Sequence, residues 1–296
     1  MLHHKKVKSV LNKHKKRDSR FLDDYSVNPY EGCSCNCLYC YVRGSKYGEN
    51  MEDHLSVKEN VAEVLEKQFQ SRAGKKQYGI IAVGSATDAY IHHEEKYGLT
   101  EGILQLLLKY RFPVFISTKC TLLTRDLYLL KEIDKAAILP EDLKQTLKRG
   151  VILSVSVSTM DEKLSNTLEP GASAPLQRMQ LVRQLKKEGF LTGVNAIPVL
   201  PFISDSEEEL EKIIASAKQH GADYVLVGGL TLFGNGVADS KILYYKFLNR
   251  HYPSLIEAYN KLYGDNFYTP FSYQQQLKEK ANRLCKKYEI RNSIIE

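Results

Sequence analysis

The sequence has no uninterrupted apolar run approaching the roughly 20 residues that a helix needs to cross a bilayer. Met1 to Lys16 is positive but no apolar core follows it, which argues against a secretory signal and sets a cytoplasmic location as the expectation. No low-complexity stretch and no internal repeat beyond a βα period is found. With 43% hydrophobic and 26% charged residues, disorder and fibrous architecture are excluded for the chain as a whole. The six cysteines are too unevenly placed for a disulfide framework, since four of them fall between residues 33 and 40. No second cysteine pair follows downstream and no histidine pair stands at finger spacing, so the usual two-pair structural zinc site is missing.

Charge is also absent from most of the chain. The net charge is +7, and residues 1–20 hold eight Lys and Arg against Asp18 alone, which already accounts for it. Taking those eight and that one from the totals of 42 basic and 35 acidic residues leaves 34 of each sign in the remainder. The basicity belongs to an N-terminal arm, readable as a nucleic-acid-seeking device or as a solvated terminus.

What is present is periodic. Short, nearly continuous apolar runs at 79–83, 113–117, 151–157, 192–199 and 224–228 read as buried parallel strands. A further strand is expected near 21–27. Amphipathic helical stripes fill the intervals, among them Leu55, Val57, Val61, Val64, Leu65 and Phe69, then Ile103 to Leu108, a helix opening at Pro175, and a capped one at Ser206. Six βα units are too few for a closed eightfold barrel and fit an open, partial (β/α)6 barrel of the TIM type over 21–235. Residues 236–296, rich in tyrosine and without a clear strand, predict a C-terminal helical appendage. On the fourth strand the alternation Ser154, Ser156, Ser158 puts three hydroxyls on one face.

Cys33, Cys37 and Cys40 form C-x3-C-x2-C, with Cys35 between the first two. A four-cysteine zinc site in so short a loop is cramped. Three soft thiolates on a compact loop suit an iron–sulfur cluster, with one iron left open for a ligand.

The motif resembles that of the radical SAM superfamily, and its flanks narrow the resemblance. Asn28-Pro29-Tyr30-Glu31-Gly32-Cys33 and Tyr39-Cys40-Tyr41-Val42-Arg43 are similar to the spore photoproduct lyase-like branch, often called DNA repair photolyases. So are Val83 to Tyr90, Ser117-Thr118-Lys119 with Thr124-Arg125-Asp126, and Leu168-Glu169-Pro170-Gly171 with Arg178, in order. The resemblance implies a partial barrel as the core. It implies a 4Fe–4S cluster on Cys33, Cys37 and Cys40 that binds S-adenosylmethionine and cleaves it to a 5′-deoxyadenosyl radical, with a low-potential flavodoxin or ferredoxin as electron donor. Tyr39 is expected near adenine, Thr87 on the cofactor's amino group, Lys119 on its carboxylate, and Ser156 toward the same cofactor. Cys35 is expected as a bystander. Asp88, Tyr90, Glu94 and Arg178 are as readily structural as functional, and the His92-His93-Glu94-Glu95 run is not expected to hold a metal. Where the lyase carries a hydrogen-donating cysteine, this chain has Ser85; Cys120 is the remaining thiol expected on that face and the candidate donor. Repair of a thymine lesion and a non-catalytic iron–sulfur or zinc nucleic-acid-binding protein stand as alternatives.

Overall fold

The computed structural model describes residues 2–45, 48 and 55–295. Its strands, in chain order, are β1 (Leu2–Lys5), β2 (Asn12–Lys13), β3 (Tyr25–Val27), β4 (Tyr30–Glu31), β5 (Leu55–Lys58), β6 (Ile81–Val83), β7 (Val114–Thr118), β8 (Val151–Ser156), β9 (Leu191–Val199) and β10 (Tyr224–Gly229). The helices are α1 (Val61–Gly74), α2 (Glu94–Tyr97), α3 (Leu99–Tyr110), α4 (Leu127–Ala136), α5 (Glu162–Leu168), α6 (Pro175–Lys187), α7 (Glu207–Gln219), α8 (Ser240–His251), α9 (Ile256–Tyr263) and α10 (Phe271–Lys287).

Six of the strands run parallel in the order β10-β9-β8-β7-β6-β3, and β2 is added antiparallel to β3 at the edge. These are the six strands expected from the apolar runs, and the sheet with its crossover helices is the partial barrel. Strand residues alternate between two cores. Val151, Leu153 and Val155 face the helices, in one cluster with Leu104, Leu130, Met179 and Leu185. Ile152 faces the barrel interior with Ala82, Phe115 and Leu226. Residues 236–296 carry helices α8, α9 and α10, and α10 packs against β10 of the main sheet. Beyond α10, Val225 N–H of β10 donates to the Arg291 carbonyl at 2.9 Å, which covers the outer edge of the sheet.

Two expectations are corrected. The stripe starting at Leu55 is not one helix: Leu55–Lys58 is a strand, and the helix starts at Val61. Leu55 and Val57 alternate with Ser56 and Lys58 at period two, and only Val61, Leu65 and Phe69 carry the helical period. The second correction concerns the N-terminus, which is not a free basic arm. Leu2–Lys5 pairs in parallel with Leu55–Lys58, and β5 in turn pairs antiparallel with β4, giving a three-stranded sheet beside the barrel. Val10 and Leu11 are buried, with their N–H groups donating to Gln68 Oε1. Arg17 pairs with Asp24 and Asp142, and Lys5 with Glu31. Residues 18–22 then turn back into the barrel, where Leu22, at φ 63°, packs in the interior cluster and the Phe21 ring lies 5.4 Å from that of Phe115. Much of the arm thus meets the body of the protein, while Lys6, Lys8, Lys13, Lys15, Lys16 and Arg20 stay exposed on its surface. No helix among the described residues is long and apolar enough to cross a membrane.

Candidate cofactor and radical site

The cysteine loop follows β4 and lies over the ends of β3 and β6. Its course is fixed by main-chain bonds from both sides. Asn36 N–H donates to Cys33 O (3.2 Å), Leu38 N–H to Leu168 O (2.9 Å), and Gly171 N–H to Cys35 O (3.1 Å). Asn36 takes φ 49°, a left-handed conformation that asparagine tolerates better than most residues. Arg43, fully buried, donates from Nε to Cys37 O at 3.2 Å. Gly171 passes so close that a Cβ there would lie 1.8 Å from the Ser34 carbonyl oxygen. Gly171→Ala is therefore expected to push the loop outward, costing about 1–3 kcal/mol of stability, the range for overpacking. Iron per chain after anaerobic reconstitution should fall with it.

The loop roofs a cavity of about 390 Å³, within the usual size range for small-ligand sites. Cys33, Cys37, Cys40, Tyr39, Thr87, Lys119 and Ser156, all singled out from the sequence, line it together. The opposite wall is supplied by Ala82, Phe115, Ile197 and Pro198 from the barrel strands, and by Arg20 and Phe21 from the N-terminal segment. The β6–α2 turn that carries Thr87 depends on Gly84. It stands at φ 83°, and a Cβ there would lie 2.7 Å from the Ala89 nitrogen.

Several polar groups in this cavity lack partners. The Thr87 hydroxyl is buried without a hydrogen bond. No hydrogen bond or ion pair of the Lys119 ammonium is found among the described residues; its main-chain N–H donates to Asp88 Oδ2 at 2.7 Å and its carbonyl accepts from Ser173 N–H at 3.1 Å. Burial by itself lowers the Lys119 pKa, but Glu169 and Cys37 outweigh it and hold the lysine protonated well above neutrality. The Cys33 thiol receives the Asp88 N–H at 3.4 Å. Soft sulfur ligands, an unpaired cation and an orphaned hydroxyl around one cavity suit a thiolate-bound cluster and a zwitterionic cofactor.

Two further residues were missed in the sequence. Asn195 on β9 donates from Nδ2 to Ser117 Oγ at 2.8 Å, and Ser117 lies 3.0 Å from Ser156 Oγ. The Asn195 Oδ1 is buried without a partner. Their signal was a polar side chain inside an otherwise apolar strand, the same signal that drew attention to Ser156. Of the three serines on β8 and just beyond it, only Ser156 reaches the cavity. Ser154 bonds the Tyr224 hydroxyl (2.7 Å), and Ser158 bonds Tyr39 (2.8 Å).

The remaining candidates are structural. Asp88 accepts from Thr118 Oγ1, Lys119 N–H and Tyr90 N–H at 2.7, 2.7 and 2.8 Å, tying β6 to β7. Glu94 is fully buried, with Tyr30, Thr100 and Arg125 as its partners. Arg178, also fully buried, bonds the Ser156 and Ser173 carbonyls, Ser165 Oγ and Glu169. Glu169 in turn accepts from the Tyr39 hydroxyl, so the ring that walls the cavity is anchored on this ion pair. Cys120, expected to face the cavity as a hydrogen donor, does not line it. It follows β7 behind the cysteine loop, buried, with its sulfur 3.6 Å from that of Cys35.

A family model described as the radical SAM superfamily matches residues 27–217. An uncharacterised protein of Mycobacterium tuberculosis (strain ATCC 25618 / H37Rv) is 32% identical over 272 residues, covering 90% of this chain and 75% of the relative. A radical SAM Nalpha-GlyT isomerase of Pseudomonas phage M6 is 24% identical, covering 69% of this chain and 41% of the isomerase. Among solved structures, a spore photoproduct lyase variant superposes with a TM-score of 0.65 at 14% identity, covering 97% of this chain and 79% of the lyase. Another variant, solved with AdoMet and dinucleoside spore photoproduct bound, gives 0.62 at 14% identity and the same coverage. At those identities the structures establish a shared fold. The family match runs from β3 through α7 and so takes in the cysteine loop and all but the last of the parallel strands: the chain belongs to the radical SAM superfamily.

Proposed function

We propose that the protein holds a 4Fe–4S cluster on Cys33, Cys37 and Cys40 and uses it to cleave S-adenosylmethionine reductively. When bound, the cluster supplies a low-potential electron and an open iron, and the cofactor supplies the 5′-deoxyadenosyl radical. The single observation that carries this reading is the Lys119 ammonium, which lines the cavity beside the cysteine loop with no carboxylate ion-paired to it among the described residues.

The roles of the chain's own groups follow from position. Lys119 binds the cofactor carboxylate as a point charge. Thr87 accepts from the cofactor's amino group, which satisfies its orphaned hydroxyl. Ser156, Ser117 and Asn195 form a hydrogen-bonded row along three neighbouring strands, fit to orient sugar hydroxyls. Tyr39, held by Glu169 and Ser158, offers a fixed aromatic wall for the adenine. The alkyl and aromatic side chains opposite exclude water from the reacting centre. A low-potential flavodoxin or ferredoxin is the proposed electron donor.

Anaerobic reduction with added S-adenosylmethionine should yield 5′-deoxyadenosine and methionine; no 5′-deoxyadenosine from cluster-loaded, reduced protein would overturn the proposal. In the same assay Lys119→Met removes a charge-assisted bond worth about 1.5–3 kcal/mol. The KM for S-adenosylmethionine should rise about tenfold to a hundredfold, with iron content unchanged. Thymine-lesion repair is the less favoured reading. The Ser85 hydroxyl lines the cavity where a thiol donor would be needed, and it is bonded to Asn28 Nδ2 at 3.2 Å. A serine O–H gives up hydrogen poorly to an alkyl radical, so sustained repair of a lesion-bearing dinucleotide is not expected.

A further inference from the structure

Cys35 and Cys120 are 85 residues apart in sequence, yet their sulfurs lie 3.6 Å apart. Both are buried, at 1% and 9% exposure, and both are reduced. That separation is sulfur–sulfur contact without a bond, since a disulfide closes to about 2.05 Å. Neither residue belongs to the proposed ligand set, and neither has a place in cofactor binding. Asp88 stands beside the pair, with the three ligand atoms within 4.8 Å of one another. A metal site is nevertheless the poorer reading. The Asp88 carboxylate already accepts from Thr118, Lys119 N–H and Tyr90 N–H, and among the described residues the group stops at three, one short of the tetrahedron of a structural zinc site.

We infer that Cys35 and Cys120 are a redox-active dithiol that closes to an intramolecular disulfide between the cysteine loop and the end of β7. The two thiols are not equivalent. Cys35 forms part of the cavity wall, so a small peroxide entering the cavity reaches it there. The peroxide oxygen bond breaks, Cys35 becomes a sulfenic acid, and an alcohol or water leaves. Attack by Cys120 on that sulfur expels water and forms the S–S bond. Overall, two thiol hydrogens and two electrons pass to one peroxide. A dithiol reductant reverses the step by exchange. The bridge ties the loop to the residue after Lys119. Oxidation thereby fixes the cysteine loop and the carboxylate-binding lysine relative to each other without using a cluster ligand.

The test uses cluster-loaded protein kept free of oxygen, with diamide as oxidant, its azo bond taking up the two hydrogens. Trypsin cleaves after Arg20, Arg43, Lys119 and Arg125, so the bridge joins peptide 21–43 to peptide 120–125. The expected result is that joined peptide, reversible by dithiothreitol, with the number of alkylatable thiols lowered by two. It should vanish in Cys35→Ser and in Cys120→Ser and persist in Cys285→Ser. The inference is overturned if no joined peptide forms, if it survives Cys35→Ser, or if zinc added to a Cys33→Ala/Cys37→Ala/Cys40→Ala variant is retained at one equivalent through Cys35 and Cys120. These readouts do not depend on S-adenosylmethionine cleavage, so they stand apart from the test of the proposed activity.

Discussion

Replacing Cys37 with alanine should remove nearly all iron and all S-adenosylmethionine cleavage, and Cys33→Ala and Cys40→Ala should do the same. Cys37 is the most buried of the three, at 9% exposure, and burial raises its thiol pKa well above the usual value. A thiolate at that position is costly unless a cation or metal compensates it, so its ionised form depends on the cluster. Loss of one of three ligands leaves two, too few to hold a cubane. Cys35→Ala should keep both iron and turnover, because Cys35 stands outside the C-x3-C-x2-C set and its sulfur also packs against Cys120 and Asp88. Iron per chain, the visible absorption of the reconstituted protein and 5′-deoxyadenosine yield check the series together. Loss of the cluster in Cys35→Ala with retention in one of the other three would reverse the ligand assignment.

Arg178→Ala should destabilise the fold by about 3–5 kcal/mol, the cost of leaving a buried charge without its partner. The guanidinium donates to Ser156 O, Ser173 O, Ser165 Oγ and Glu169 Oε2, so its removal strands four acceptors, one of them a carboxylate. Urea denaturation of the cluster-free protein gives the change directly. Arg178→Met with Glu169→Leu should recover part of the loss, since neither member of the pair then stays buried without the other. A loss below about 1 kcal/mol would place this pair among the weak surface bridges. The pair also predicts acid sensitivity. Burial raises the Glu169 pKa, but Lys119 and Arg178 outweigh it and the net shift is downward. The stabilisation is present above the unfolded carboxylate value of about 4.3 and is lost as pH falls through the lower folded value. Glu169→Gln should flatten that acid limb of the stability curve.

The strands were readable because each is buried on both faces, which turns them into short continuous apolar runs, as in Val151 to Val155. The cluster ligands were readable because their spacing is local. Groups assembled from several strands were harder. Ser117 and Asn195 are single polar residues whose partners lie 39 and 78 positions away, and no local pattern links them. The Cys35–Cys120 contact is of the same kind. The small three-stranded sheet escaped notice because its strands are only two to four residues long and one begins with His-rich Leu2–Lys5.

The barrel floor joins distant ends of the sequence, with Leu22 and Ile294 in one cluster with Ala82, Phe115 and Leu226. Synthesis proceeds from the N-terminus, so Leu22 emerges from the ribosome long before its partner exists. The six strands can assemble as they appear, but the floor cannot close until residue 294 is free of the exit tunnel. During that interval the interior aromatic and aliphatic side chains are open from below, and the outer edge of β10 lacks the Arg291 carbonyl that later covers it. Nascent chains stalled before this point are the form most exposed to aggregation and to chaperone capture.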